Sequence, residues 1–187
     1  ANIRQNGLKA LNLKDEDELI NVFLTDGQTD IIIGTKMGYA VRFNENQVRN
    51  MGRAATGVRG VNLRPDDHVV GASVISDNQE VLVITEKGYG KRTLASEYAT
   101  KGRGGKGMKT ANITEKNGPL AGLMAVNGDE DLMIITNTGV IIRTNVANIS
   151  QTGRATLGVK VMRLDKGAQI VTFTSVAAEN EKEVDEE

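Results

Sequence analysis

Three sets of basic residues recur in step along this 187-residue chain, and together they suit the binding of phosphate groups. Arg42, Arg92 and Arg143 each close a stretch of matching pattern. Arg53, Arg103 and Arg154 each follow a glycine. Arg59, Lys109 and Lys160 come six residues after those, in Gly57-Val-Arg59, Gly107-Met-Lys109 and Gly158-Val-Lys160, and Lys9 holds the same place near the start. Core packing explains repeated glycines and aliphatics, but it gives no reason for Arg or Lys at one place in every copy. In an array, each set would reach an equivalent surface and form a basic stripe. The middle copy is the richest, with Lys87, Lys91, Arg92, Lys101, Arg103, Lys106 and Lys109 close together. Glycines around Arg103 and Lys106 let backbone N–H groups approach a phosphate while the side chains add charge. The competing reading is duplication of one ancestral unit, with the bases serving local salt bridges.

Bulk charge agrees with a polyanion partner once its distribution is considered. The net charge is -1, but Glu179 to Glu187 holds six acids against one base, so the preceding chain is about +4. Between Lys36 and Asn112, 13 bases face seven acids. A basic body with an acidic tail fits a nucleic-acid binder, although an acidic tail also serves solubility. Aromatics make up 3% of the chain and Trp is absent, which argues against gripping single strands by base stacking.

Several chemistries are excluded. With no Cys there is no disulfide framework or thiolate site, and the lone His68 cannot build a histidine metal cluster. No nucleophile–base–orienter set is present, so no catalytic residue, metal or cofactor is expected. Carboxylates at Asp15–Glu18 and Asp129–Asp131 read as solvated turns. Gly102-Arg-Gly104-Gly-Lys-Gly107 has the spacing of a dinucleotide loop, but it follows a polar connection and precedes a strand, where that motif needs a strand and then a helix. It also fails as a P-loop, because Met108 stands where Lys is required. No apolar run is long enough for a membrane span and no signal peptide is visible, so a cytoplasmic protein is expected.

The elements that must position these bases repeat about every 50 residues. Asp30-Ile-Ile-Ile-Gly-Thr-Lys-Met-Gly38-Tyr-Ala-Val-Arg42 matches Glu80-Val-Leu-Val-Ile-Thr-Glu-Lys-Gly88-Tyr-Gly-Lys-Arg92 and Asp131-Leu-Met-Ile-Ile-Thr-Asn-Thr-Gly139-Val-Ile-Ile-Arg143. Each copy reads as four strands. An apolar first strand (Ile31–Ile33, Val81–Ile84, Leu132–Ile135) leads through a turn closed by a left-handed glycine into a second (Tyr39–Phe43, Tyr89–Thr93, Val140–Thr144). After a polar connection, a third strand is expected at Val58–Arg64, Met108–Ile113 and Val159–Leu164, and a fourth at Val69–Ile75, Leu120–Val126 and Ile170–Val176. Four strands per repeat at this period predict an all-β propeller-like array in which neighbours complete each other's cores. Asn6 to Leu13 aligns with Thr56 to Leu63, and Leu19–Leu24 with Val69–Val74, so the chain opens halfway through a repeat. The expected units are a half repeat at 1–29, repeats at 30–79, 80–130 and 131–176, and a disordered acidic tail at 177–187.

These repeated blocks, with Glu86-Lys-Gly-Tyr-Gly-Lys-Arg92, Arg103-Gly-Gly-Lys-Gly107, Asp131-Leu-Met-Ile-Ile-Thr136 and the acidic end, resemble the C-terminal domain of bacterial DNA gyrase A over essentially the whole chain. The resemblance implies a β-pinwheel of four-stranded antiparallel blades that exchange strands, truncated at its N-terminal side. It implies wrapping of double-stranded DNA around the outer rim in support of negative supercoiling, with cleavage and ATP hydrolysis elsewhere. The implied partners are the rest of gyrase A and the gyrase B subunit, in a bacterial, nucleoid-associated setting. Two departures stand out. The family has six blades against three and a half here, and its Gln-Arg-Arg-Gly-Gly-Lys-Gly box in the first blade is absent, with Arg103 to Gly107 as an echo. Local DNA binding is thus better implied than full wrapping, and an open blade edge could recruit another chain. The expected DNA contacts are Arg42, Arg53, Arg59, Lys87, Lys91, Arg92, Lys101, Arg103, Lys106, Lys109, Arg143, Arg154 and Lys160. Alternatives are the similar domain of the A-type subunit of topoisomerase IV, a protein-interaction propeller whose bases serve surface salt bridges, and a nucleotide-binding enzyme resting on the Gly motif alone.

Overall fold

The computed structural model describes residues 7–178. The expectation of a disordered tail falls almost entirely outside that range. The strands are β1 (Asp30–Thr35), β2 (Tyr39–Asn44), β3 (Val69–Ile75), β4 (Glu80–Thr85), β5 (Tyr89–Leu94), β6 (Met108–Lys109), β7 (Leu120–Val126), β8 (Glu130–Thr136), β9 (Ile141–Asn145), β10 (Val159–Lys160) and β11 (Ile170–Ala177). They form three antiparallel sheets in the orders β3-β1-β2-β6, β10-β5-β4-β7 and β11-β8-β9. The fold is the expected all-β array of propeller-like blades.

Apolar runs and turn chemistry explain the hairpins. Each first strand turns into the second through a glycine of positive φ, at 83° in Gly38, 82° in Gly88 and 81° in Gly139, a conformation side-chain-bearing residues rarely adopt. All six residues of β4 are buried because the strand serves two cores. Val81 and Val83 pack with Ile32, Ala40 and Ile75 of the first sheet, while Leu82 and Ile84 pack with Leu132, Ile134 and Ile170 of the third. The pleat sends alternate residues to opposite faces, so one strand joins three sheets into one body.

The third strands depart from the expected lengths and partners. Met108–Ile113 shrinks to the two residues of β6, and Val159–Leu164 to the two of β10. Each leaves its own repeat: β6 pairs with β2, and β10 with β5. Gly158 permits this crossing. Its φ is 79°, and a Cβ there would lie 2.7 Å from the Gly90 carbonyl oxygen. Val58–Arg64 forms no strand, and Val61 makes one parallel bridge to Gly105. Leu19–Leu24 also forms none, and Val22 and Leu24 are 80% and 97% exposed. A third strand needs the outer edge of a preceding hairpin and a fourth needs its first strand, and residues 7–29 contain no such hairpin.

Three short 3-10 helices, Glu45–Gln47, Ala95–Glu97 and Val146–Asn148, follow the second strands in what reads as featureless polar connection. Asn44 and Asn145 cap two of them by accepting from the backbone N–H two residues on. Among the described residues, no helix is long and apolar enough to cross a membrane.

Candidate nucleic-acid interface

Strand order fixes where the basic residues can go. The fourth strand β7 packs against β3 and β11, and the three line one shared cavity on the inner side of the array. The opposite edge of each complete sheet carries the third strand and the glycine-rich connection before it. Residues 101–109 run along the outer edge of β2: Lys101 N–H donates to the Arg42 carbonyl at 2.9 Å, and Met108 pairs with Ala40. Residues 150–160 run along β5 in the same way, with Arg92 N–H donating to the Ser150 carbonyl at 3.0 Å and Val159 opposite Gly90.

Six exposed cations lie on or near these outer edges. Lys101, Lys106, Lys109 and Lys160 are exposed there, and Arg53 and Arg59 are exposed in the equivalent stretch of the first repeat. Lys109 Nζ donates to Asn112 at 3.3 Å, and Lys160 Nζ stands 5.1 Å from the Tyr89 ring centroid. No salt bridge engages any of the six among the described residues.

The second phased set joins neighbouring repeats. The Arg103 guanidinium donates to the carbonyls of Gln47 at 2.9 Å and Arg59 at 3.1 Å, and its backbone N–H to the Gln47 side chain at 2.8 Å. Arg154 repeats the device, donating to the Lys109 carbonyl at 3.0 Å. Each reaches the third-set base of the repeat before it, which places the two sets side by side on the surface.

The first phased set requires a correction. Arg42 is 5% exposed. It donates to Asp30 at 2.8 Å, to Asp77 at 2.6 Å, and to the carbonyls of Ala95 and Tyr98 at 3.0 and 3.4 Å. Arg92 pairs with Glu80 and donates to the carbonyls of Ile149 at 2.7 Å and Ala147 at 3.3 Å. Arg143 pairs with Asp131 at 2.8 Å. Arg42 and Arg92 thus hold the 3-10 turn of the following repeat, so packing does give these arginines a reason to recur. Asp131, read as a solvated turn residue, is a strand residue engaged by Arg143. Lys91 is also withdrawn from the surface: it is 1% exposed, and its ammonium donates to the carbonyls of Gly153 at 2.7 Å and Arg154, and to the Thr156 hydroxyl at 3.1 Å. Burial pulls its pKa down to about 8, against the raising effect of Glu97. A DNA contact by Arg42 or Lys91 would require breaking this packing.

The acid partners were the signal that sequence reasoning passed over. Asp30, Glu80 and Asp131 each stand twelve residues before their arginine, a constant offset in all three copies. That offset, more than the arginines alone, marks an internal pair.

Comparison with known proteins agrees with this architecture. A family model described as "DNA gyrase C-terminal domain, beta-propeller" matches residues 1–26, 29–76, 79–127 and 130–177. The DNA gyrase A protein of Streptococcus pneumoniae is 80% identical over 184 residues, which cover 98% of this chain and 22% of that protein. That of Halalkalibacterium halodurans is 63% identical over 187 residues, or 100% of this chain and 22% of that protein. The chain therefore spans about a fifth of the length of these relatives. Among solved structures, a DNA gyrase A C-terminal domain superposes with a TM-score of 0.82 at 27% identity, covering 91% of this chain and 58% of that one. The C-terminal domain of a DNA topoisomerase IV superposes with a TM-score of 0.87 at 27% identity, covering 93% and 55%. Shape alone does not separate those two; the sequence identities favour gyrase.

Proposed function

Because the chain belongs to the DNA gyrase C-terminal domain family, we propose that it is a non-catalytic module that binds duplex DNA by its phosphates and bends it around the outer sheet edges. The observation that carries this reading is the placement of Arg53, Arg59, Lys101, Lys106, Lys109 and Lys160. They are exposed, unpaired with acids among the described residues, and set along or beside the outer edges of successive sheets.

Such a surface makes phosphate contacts that carry no sequence information, so recognition is by charge and deformability. Smooth bending by 40–90° costs on the order of 1–6 kcal/mol, which the extra contacts along a curved edge offset. In the whole protein, this bending would present a nearby segment of the same DNA for strand passage and so support negative supercoiling. The rest of gyrase A and the gyrase B subunit would supply cleavage and ATP hydrolysis, in the bacterial cytoplasm and on its nucleoid. The repeats at 30–79, 80–130 and 131–176 are the units of wrapping in this reading. The open edge left by the truncated blade is where a second copy of this chain would pair.

The test is ligation of a nicked circular plasmid with the chain bound. Bending with a handed path shifts the linking-number distribution of the closed product in one direction. A distribution identical to that of the protein-free control contradicts wrapping by this chain, while leaving simple binding to be judged by affinity.

A further inference from the structure

One end of the second sheet gathers three lysines around a cavity of about 340 Å³. Lys87 comes from the β4–β5 turn, Lys116 from the turn before β7, and Lys160 from β10, which is contributed by the following repeat. Tyr89 organises them. It is the cross-strand partner of Lys160, whose Nζ lies 5.1 Å from the ring centroid, and Lys116 Nζ lies 5.9 Å from the same ring. Lys87 is held by donating to the Glu115 carbonyl. No carboxylate lines the cavity among the described residues, and neighbouring Glu86 is already paired with Lys36 at 3.0 Å. Three ammonium groups facing one space repel each other, and an anion there relieves that repulsion.

Repetition of the unit does not account for the cluster. At the matching end of the first sheet, Met37 stands in place of Lys87 and Asp66 in place of Lys116. There Arg64 is laid over Tyr39, 3.4 Å from its centroid, with its guanidinium bonded to the Lys106 carbonyl at 2.7 Å. The same scaffold thus carries a self-satisfied cation in one place and three unneutralised lysines in the other.

We propose that the Lys87–Lys116–Lys160 cavity seats one phosphate group, and that this is a backbone phosphate of the bound duplex. Three directed, charged donors suit the several acceptor oxygens of a phosphate. This inference rests on the DNA-binding reading and adds Lys116, a residue outside the phased sets, at the turn end of the sheet. It extends the basic surface from the outer edge onto the β4–β5 end of the array.

The experiment compares the chain with its Lys87→Ala/Lys116→Ala variant, which keeps the outer-edge Lys160, using duplex affinity across a salt series. Loss of one phosphate contact lowers the slope of log affinity against log salt by about one, with an unchanged melting temperature as the control for folding. A second arm titrates inorganic phosphate while following the lysine ammonium resonances. A lowered slope without saturable response to millimolar phosphate supports a duplex phosphate. An unchanged slope in a folded variant, with the parent chain binding DNA, overturns the proposal; if free phosphate then perturbs the three lysines, the site belongs to a small anion instead. Failure of the parent chain to bind duplex at all would refute the DNA-binding reading itself, a separate outcome.

Discussion

Arg42 and Asp30 meet at 2.8 Å across the first hairpin, and Arg42 reaches on to the carbonyls of Ala95 and Tyr98 in the next repeat. One buried guanidinium therefore ties a strand end, a turn and a neighbouring blade together. Glu80 with Arg92 and Asp131 with Arg143 repeat the pairing. Arg42→Ala leaves the Asp30 and Asp77 carboxylates without their cation and the Ala95 and Tyr98 carbonyls without this donor, and should cost about 3–5 kcal/mol of stability. The measurement is denaturant unfolding; a variant of parental stability with weakened DNA binding would restore Arg42 to the interface.

The same contact makes the fold acid-sensitive. Burial alone would raise the Asp30 carboxyl, but hydrogen bonds from Thr100, Asn44 and Arg42, with the charge of Arg42, hold it below its ordinary 3.8. A lowered folded pKa means that the unfolded chain takes up the proton first as pH falls. The stabilisation is complete above pH 3.8 and is lost as pH drops through the lower folded value. Asp30→Asn should flatten the fall in melting temperature over that range, and a parallel curve would contradict the assignment.

Lys91 gives a second rise of stability with pH, in an alkaline window. Its pKa is about 8 folded against 10.5 in the free side chain. Between those values the unfolded chain holds more protons, so this residue's contribution to stability rises with pH. Lys91→Met removes the titration. The parent's melting temperature relative to the variant should therefore increase from pH 8 to pH 10.5, and a constant difference would show that Lys91 does not titrate in that window.

Arg103 and Lys106 sit three residues apart but should fail differently. Arg103→Ala loses the bonds to the Gln47 and Arg59 carbonyls and should destabilise the chain by about 1–2 kcal/mol. Lys106→Ala, exposed, should leave the melting temperature unchanged and lower the salt slope of duplex binding by about one, uniformly across DNA sequences. Equal loss of stability in both variants would mean that the exposed lysine is structural.

The hairpins and fourth strands were legible because their signals are local: apolar runs, a positive-φ glycine and a fixed period. β3 and β7 fall on the expected residues, Val69–Ile75 and Leu120–Val126. The third strands were not, because two residues such as Met108–Lys109 carry no periodicity of their own and are strands only by virtue of the edge they join. The basic sets were visible as repeats but not as roles. Recurrence cannot distinguish a buried clamp such as Arg42 from an exposed contact such as Lys109; the acid twelve residues upstream can. Lys116 was invisible because its place follows from Tyr89 and a strand lent by another repeat.

Duplex affinity measured at 50 and 200 mM salt on two unrelated sequences tests the central claim most directly. Six exposed outer cations making about six phosphate contacts predict a fall of roughly 10³-fold over that range, equal for both sequences. No binding at 50 mM, or an affinity indifferent to salt, would contradict it.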